Sequence, residues 1–118
     1  MSLKVPFKSA QGSSVMFYHC HHTEEPILLC KEDEPVLIVM DSRVFAKAYG
    51  YTTNYYDMQH IFQSEGMNEY ISASQIMKTV DLIPICNHAK MPIVVKKYGC
   101  DIVVAMSPAE YEKRQHSF

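Results

Sequence analysis

The clearest pattern in the chain is a pair of apolar runs near its C-terminal end. The runs 92–95 and 102–106 are rich in β-branched residues and flank Tyr98-Gly99-Cys100-Asp101, where the glycine tolerates the positive φ of a tight turn. This predicts a β-hairpin. Because both runs are almost continuously apolar, we expect their sheet to be covered on at least one face. The next residues, Ser107-Pro108-Ala109-Glu110, combine a cap, a first-position proline and a capping-box glutamate, and predict a helix that runs to Arg114.

A second helix is predicted upstream of the hairpin, over residues 74–83. Ser74 is its candidate N-cap, and Pro84 is expected to end or kink it. Three apolar residues recur at about helical spacing, namely Ile76, Val80 and Ile83. Tyr70-Ile71 is predicted as a short strand, so this half has the order strand, helix, strand, strand, helix.

The N-terminal half shows the same order more faintly. The apolar runs 26–31 and 35–40 flank the acidic turn Glu32-Asp33-Glu34, and Asp41-Ser42 can cap a helix that Gly50 ends. A second helical stretch and a polar linker between the halves are predicted at 54–63 and 64–66.

The two halves align at an offset of 66 residues. Identical residues then meet at four pairs of positions: Pro26 with Pro92, Ile27 with Ile93, Lys31 with Lys97, and Met40 with Met106. The alignment indicates either an internal repeat or the ordinary likeness of two hairpin-and-helix units. We predict an α+β fold with two strand-helix-hairpin-helix units, 1–66 and 67–118, that share one sheet covered by helices on one face. Together they make one compact domain, which suits a chain of 118 residues.

The formal net charge of −2 is unusual for a dedicated nucleic-acid binder, which is generally basic. Any DNA contact therefore needs a local basic patch, or several chains acting together. Ser74 and Gln75 lie at a predicted helix N-terminus that can face a phosphate. The accompanying basic residues are Lys78, Lys90, Lys96 and Lys97. These lysines either contact phosphates or are ordinary solvated charges that favour solubility.

Metal binding and catalysis find little support. His19-Cys20-His21-His22, with Cys30 beyond it, contains zinc-ligand types. Neighbours in an extended segment point to opposite faces, so we predict a surface or partly buried strand there and no metal site. Asp41, Ser42 and His60 could be drawn as a triad, but no nucleophile-elbow glycines surround Ser42. We predict no catalytic residue and no cofactor.

Two compositional features complete the prediction. The four cysteines form no CxxC pair and indicate free thiols in a reducing cytoplasm. No apolar run approaches the roughly 20 residues needed to cross a membrane. An aromatic-rich stretch could stack on bases or, as we favour, pack a core or an oligomer interface. It contains Tyr49, Tyr51, Tyr55, Tyr56 and Phe62.

Residues 70–114 resemble the Phd/YefM antitoxin family. Tyr70-Ile71-Ser72-Ala73-Ser74-Gln75 is similar to the family's start, in which a small residue precedes Ser or Thr and then Glu or Gln. The segment 91–99 is similar to its strand and turn, a proline followed by apolar residues, a base and a glycine. The segment 102–112 is similar to its last strand and helix, including the final Glu-Tyr-Glu. In the N-terminal half, only Ser9-Ala10-Gln11 is similar to the start of the family's sequence.

The resemblance implies an antitoxin that binds operator DNA, regulates its own transcription and also binds a cognate toxin. Family members form homodimers, so the resemblance implies that this chain forms a homo-oligomer, namely a dimer. Two copies in one chain could also reproduce the family's dimer internally. The implied DNA contacts are Ser74, Gln75, Lys78, Lys96 and Lys97. The implied toxin contacts are Glu110, Tyr111 and Arg114. Only seven residues follow Tyr111, whereas the family's toxin-binding tail is usually an extended segment. Two alternatives stay open: a protein-interaction module of the same fold without DNA binding, and a small metal-responsive regulator.

Overall fold

The apolar runs of both halves form the middle of one six-stranded sheet. A computed structural model describes residues 2–50, 55–67, 70–76, 78–97 and 102–118. Within these ranges the strands are β1 Leu3–Pro6, β2 Ile27–Lys31, β3 Glu34–Asp41, β4 Tyr70–Ser72, β5 Ile93–Lys96 and β6 Ile102–Met106. The helices are α1 Ser13–His21, α2 Ser42–Ala48, α3 Tyr55–Ser64, α4 Leu82–Ala89 and α5 Pro108–Arg114.

The strand order is β1-β2-β3-β6-β5-β4, with three strands from each half. The outer pairs β1–β2 and β4–β5 are parallel, and the other neighbours are antiparallel. Glu32 and Asp33 connect β2 to β3 with φ values of 52° and 66°. Positive φ at both loop residues is the geometry of a type I′ hairpin, whose twist suits the flanking strands. β5 pairs with β6, but the predicted turn Tyr98–Asp101 lies outside the described residues.

The pairing in the second half repeats the pairing in the first at an offset of 66 residues. Leu28 pairs with Ile38, and 66 positions further on Val94 pairs with Val104. The parallel pairs β1–β2 and β4–β5 follow the same rule. Helices α2 and α5 also begin and end 66 residues apart. The two halves therefore use the same backbone register except next to the turn, where a bulge pairs Cys30 with Pro35, whereas Lys96 pairs with Ile102.

An approximate two-fold axis of this pairing passes through the centre of the sheet. Val39 lies opposite Ala105 where β3 meets β6, and these two residues are themselves 66 positions apart. Outside the sheet, Gly12 forms an isolated antiparallel bridge with Lys78, which again is 66 positions away. Exchanging the halves maps each of these pairs onto itself, so both pairs lie on the axis.

Helices cover both faces of the sheet, so the prediction of cover on one face is wrong. One face packs against buried residues of α1 and α4, including Met16, Phe17 and Leu82. The other face packs against α2, α3 and α5, including Phe45 and Phe62. The physical reason is that β6 and the second half of β3 are buried at every position, and such strands need cover on both sides. We call residues 7–23, 73–76 and 78–92 the α1/α4 layer, and residues 41–50, 55–67 and 107–118 the α2/α3/α5 layer.

The helix boundaries that depend on local caps are as predicted. The Asp41 carboxylate accepts a hydrogen bond from the Arg43 N–H at 2.9 Å at the start of α2. The Ser107 hydroxyl accepts one from the Glu110 N–H at 3.1 Å at the start of α5. The predicted capping box is wrong in its second half, because the Glu110 carboxylate accepts from the Arg114 guanidinium instead. Gly50 follows α2 with a φ of 78°, a left-handed conformation that favours glycine.

The helix predicted over residues 74–83 is wrong in its extent. A single 3-10 turn covers Ala73–Gln75, and its cap is Ser72, not Ser74. The chain is extended at Ile76, because its backbone leaves the helical region at φ −127° and ψ 100°. A second 3-10 turn, Thr79–Asp81, leads directly into α4.

Pro84 lies inside α4 and does not end it. It is the third residue of the helix, within the first turn. N–H groups of the first turn have no carbonyl partner in the helix, so the N–H that proline lacks is not needed there.

Helix α1 and strand β1 were not predicted, and the predicted strand around His19–His22 is wrong. His19, Cys20 and His21 belong to α1. The segment Val15–Tyr18 consists of four consecutive apolar or aromatic residues, which hide the helical spacing of the buried positions. The buried residues of α1 are Met16, Phe17 and Cys20.

The predicted aromatic stretch packs partly in the core. Phe62 is buried, and the ring of Tyr49 lies 4.9 Å from that of Phe45. Tyr51 and the side chains of Tyr55 and Tyr56 lie outside the described residues. Within the described part of the chain, each helix is too short or too polar to cross a lipid bilayer.

Candidate nucleic-acid interface

The α1/α4 layer is the basic side of the molecule. Its segments carry Lys8, Lys78 and Lys90 and a single acidic residue, Asp81. Two further lysines, Lys31 and Lys97, extend over the same face of the sheet. Glu34 pairs with Lys31 across the hairpin and so lies on the same face of the sheet. Five lysines against Asp81 and Glu34 give a formal charge of +3. The remainder of the chain therefore carries −5, because the whole chain carries −2.

Lys31 and Lys97 hold corresponding places on the two sides of the axis. Each lies two positions beyond a strand residue that packs under the α1/α4 layer, Leu29 for Lys31 and Val95 for Lys97, so alternation places both on that face. The Lys31 ammonium lies 5.0 Å from the centroid of the Phe7 ring. The Lys97 ammonium lies 5.7 Å from the centroid of the Phe17 ring. Aromatic faces attract cations at such distances, so each ring fixes a positive charge on this face.

The segments that cross the axis are held to each other by hydrogen bonds. The Thr79 N–H donates to the Gln11 carbonyl at 2.8 Å. The Thr79 hydroxyl donates to the Gly12 carbonyl at 3.4 Å, and Thr79 is fully buried. The polar residues around this crossing are exposed, and their types are those that contact DNA phosphates and bases. They are Ser9, Gln11, Ser14, Ser74 and Gln75.

Four of the five predicted DNA contacts lie on the α1/α4 side. Lys78 is exposed on the axis, and Lys97 lies over Phe17. Ser74 and Gln75 are exposed, but they belong to a three-residue 3-10 turn, so the predicted α-helix N-terminus at this place is wrong. The Gln75 side-chain oxygen accepts a hydrogen bond from the Ser72 N–H at 3.0 Å.

Lys96 is the predicted contact that lies elsewhere. It shares its face of the sheet with Val94, which packs in the core under the α2/α3/α5 layer. Its ammonium lies 4.2 Å from the centroid of the Tyr70 ring at the sheet edge. Lys96 and Lys97 therefore point to opposite faces, as neighbours in a strand must.

Sequence reasoning missed Lys8 and Lys31 as members of this surface. The offset of 66 already pairs Lys31 with Lys97, and Lys8 precedes Ser9-Ala10-Gln11, the segment similar to the family's start. Applying the offset to the predicted sites would have found both. What the sequence could not provide was the face on which each lysine lies.

The predicted toxin contacts Glu110, Tyr111 and Arg114 come together in an internal contact. The Arg114 guanidinium donates to the Glu110 carboxylate at 2.6 Å and to the Tyr49 hydroxyl at 2.9 Å. The Tyr111 ring packs 5.5 Å from that of Phe118. Glu110 and Tyr111 are 7% and 9% exposed. These side chains join α5 to the rest of its layer, and their contact with a toxin stays a prediction.

The contacts of Arg114 favour its protonated, charged form. Burial lowers the pKa of its guanidinium, but the hydrogen bonds to Glu110 and Tyr49 outweigh that effect and raise the pKa above its ordinary value. Its Nη1 also lies 3.9 Å from the Glu65 carboxylate, just beyond α3. One cation therefore connects three parts of the α2/α3/α5 layer.

The histidines of α1 lie close together but lack a set of metal ligands. The His21 and His22 rings are 5.2 Å apart, and the Tyr18 ring is 4.5 Å from that of His22. Cys20 is fully buried, and burial, with a smaller contribution from Asp41, raises its pKa and disfavours the thiolate that a metal needs. In the described part of the chain, no three His, Cys, Asp or Glu side chains are grouped to hold a metal ion.

A polar cleft of about 620 Å³ lies between the end of α1 and α2. Asp41 lines it and is paired with the Arg43 guanidinium at 3.0 Å, and its other carboxylate oxygen lies 3.9 Å from His21 Nδ1. This carboxylate thus caps α2 and forms an ion pair with Arg43. The triad drawn from Asp41, Ser42 and His60 gains no support from these contacts.

Comparison with known proteins leaves the resemblance as a prediction: no protein-family model, no curated protein and no solved structure matches this chain.

Proposed function

We propose that the protein is an antitoxin-type DNA-binding regulator, built from two Phd/YefM-like units in one chain. The observation that carries the proposal is the basic α1/α4 layer, which extends across the two-fold axis of the pairing. Proteins with two-fold symmetry bind operators of matching symmetry. A positive surface with hydroxyl and amide groups around its axis is suited to such a duplex.

The charge distribution supports DNA binding although the chain is acidic overall. Phosphate contacts supply most of the non-specific affinity for DNA, and they depend on the local field and not on the net charge. The α1/α4 side carries +3, and the −5 of the remainder belongs to other parts of the sequence. The duplex would therefore approach from one side only.

Toxin binding rests on the family resemblance. Glu110, Tyr111 and Arg114 lie in the α2/α3/α5 layer, on the other side of the sheet from the proposed DNA surface. DNA and a toxin would therefore occupy opposite faces. This arrangement is compatible with a regulator that holds both partners at once.

A salt-dependent gel shift on the gene's own upstream DNA tests the proposal. The informative variant is Lys31→Glu with Lys97→Glu, and the matched control is Lys47→Glu with Lys113→Glu. The control lysines are exposed, also 66 positions apart, and lie in the α2/α3/α5 layer. Both variants have the same net charge, so only the position of the change differs.

The wild-type chain should shift the DNA at 50 mM salt and release it at higher salt. Loss of two phosphate contacts should reduce the slope of log affinity against log salt by about 1.8 in the first variant. The control should keep the wild-type slope. Equal effects of the two variants, or no shift of the wild-type chain at low salt, would contradict the proposal.

A second candidate is a protein-interaction module of the same fold. An apolar groove of about 460 Å³ beside edge strand β4 favours it. The groove is lined by residues of β4, β5 and α4, including Ile71, Ile85 and Ile93. Co-purification with the product of a neighbouring gene, together with no affinity for DNA, would support this candidate over the first.

A further inference from the structure

We infer that a single chain occupies one DNA site, and that this site is an imperfect inverted repeat within about one turn of the duplex. The inference rests on the proposed DNA binding. It adds the number of chains per site and the form of the sequence that they recognise.

The first argument is that two strands of the same chain already meet at the two-fold axis. A DNA-binding dimer places its two-fold axis between two chains. Here the axis runs between Val39 and Ala105 of one chain, and these residues are 1% and 0% exposed. β3 and β6 have neighbours on both sides in the sheet, so neither offers an edge to a second copy. The axis of a dimer is therefore present in the monomer.

The second argument is size. The longest extent of the chain is 36 Å. One turn of B-form DNA is about 34–36 Å long and contains about 10 base pairs. Lys31 and Lys97 lie on opposite sides of the axis on the face that would meet the DNA. The two half-sites should therefore fit within about one helical turn.

The third argument is that the two halves of the surface differ. Lys8 in the first half corresponds to Ser74 in the second, and Ser14 corresponds to Val80. All four are exposed. One side of the axis thus carries a cation at the position where the other side carries a hydroxyl, so the two half-sites cannot be bound equally. Lys90 in the second half likewise corresponds to Glu24 in the first. The recognised repeat should therefore be imperfect.

The test begins with selection of sites by the full-length chain from a random 30-base-pair duplex library at low salt. Native mass spectrometry then gives the number of chains on a selected duplex, and hydroxyl-radical footprinting gives the protected length. We expect one chain per duplex and protection of about one turn, roughly 10 base pairs. Two chains on each selected site would overturn the inference and leave the proposed DNA binding intact. Absence of any binding at low salt would overturn both.

Two exposed lysines test the inequality of the halves. Lys8→Glu should weaken protection of one half-site, because Lys8 has only Ser74 as its counterpart. Lys78→Glu should weaken both halves alike, because Lys78 lies on the axis. Each change should reduce the salt slope by about 0.9 if one phosphate contact is lost. Equal weakening of both halves by Lys8→Glu would contradict the assignment.

Discussion

Cys20 and Cys86 occupy corresponding places in α1 and α4, 66 positions apart, and both are buried in the core under the α1/α4 layer. Burial raises the pKa of Cys86 to about 12. Burial also raises the pKa of Cys20, and the nearby Asp41 raises it further. Both thiols are free. Burial keeps both thiols protonated and unreactive in the folded chain. In the unfolded chain they are exposed to water and ionise with the ordinary pKa of a thiol.

This difference predicts a loss of stability at alkaline pH. An unfolded thiol ionises near pH 8.5, whereas these folded thiols stay protonated to higher pH. The stabilising contribution is fully present below about pH 8.5 and is lost as the pH rises toward the folded pKa. Each thiol should lower the free energy of unfolding by about 2 kcal/mol between pH 8.5 and 10. Urea unfolding at pH 8 and pH 10 measures this effect.

The control is the double variant Cys20→Ala with Cys86→Ala. It lacks both thiols and should lose less stability over the same pH interval, although its stability at pH 8 is lower because small cavities remain. If the variant and the wild-type chain have parallel pH dependence, the buried thiols do not cause the alkaline loss.

At the scale of elements, the loop between β2 and β3 places Glu32 in an unfavourable backbone conformation. Glu32 and Asp33 both have positive φ, where residues other than Gly, Asn and Asp are strained. Asn-Gly is the preferred sequence for this turn. Replacing Glu32-Asp33 by Asn-Gly should therefore raise the free energy of unfolding by about 1 kcal/mol.

The urea midpoint of that variant can be compared with the midpoint of Glu24→Gln with Glu25→Gln. The comparison variant also removes two negative charges, but outside the loop. A gain in stability that appears only in the loop variant would assign the effect to backbone conformation. An equal gain in both would assign it to charge and contradict the prediction.

The elements that could be predicted from the sequence are those fixed by neighbouring residues. The caps Asp41 and Ser107 lie within three residues of the groups that they bind, and the hairpin strands follow from continuous β-branched runs. The break after Gln75 could not be predicted, because it depends on contact with a distant segment. The Thr79 N–H, which a longer helix would use internally, instead bonds to Gln11.

The candidate surface was predicted in part for the same reason. Lys78 and Lys97 were identified from their charge alone, but charge does not tell which face of a sheet a lysine occupies. Alternation along β5 places Lys96, its last residue, on the face of Val94, and the contact with Phe17 places Lys97 on the other face. The predicted toxin contact Arg114 was chosen by resemblance, and its hydrogen bond to Tyr49 spans 65 positions that no local pattern connects.

At the scale of the molecule, the central β3–β6 pair joins the two halves into one sheet. Buried cores on both faces combine residues of the first and second halves. We therefore expect the halves to unfold together, although each has the same order of strands and helices.

Hydrogen exchange tests this coupling with two corresponding core residues, Leu29 and Val95, which are 1% and 0% exposed. Leu29→Ala and Val95→Ala should each lower the free energy of unfolding by about 2–3 kcal/mol through lost burial and residual cavities. Each variant should accelerate amide exchange in β2 and β5 by similar factors. Acceleration confined to the mutated half would show that the halves open independently.

The position of the two-fold axis inside a single polypeptide has a consequence for how such a protein can change over generations. In an assembly of identical subunits, a codon change appears on both sides of the axis at once. Here it appears on one side only, as the pairs Lys8 with Ser74 and Ser14 with Val80 illustrate. Each side can therefore diverge while its counterpart preserves the original chemistry.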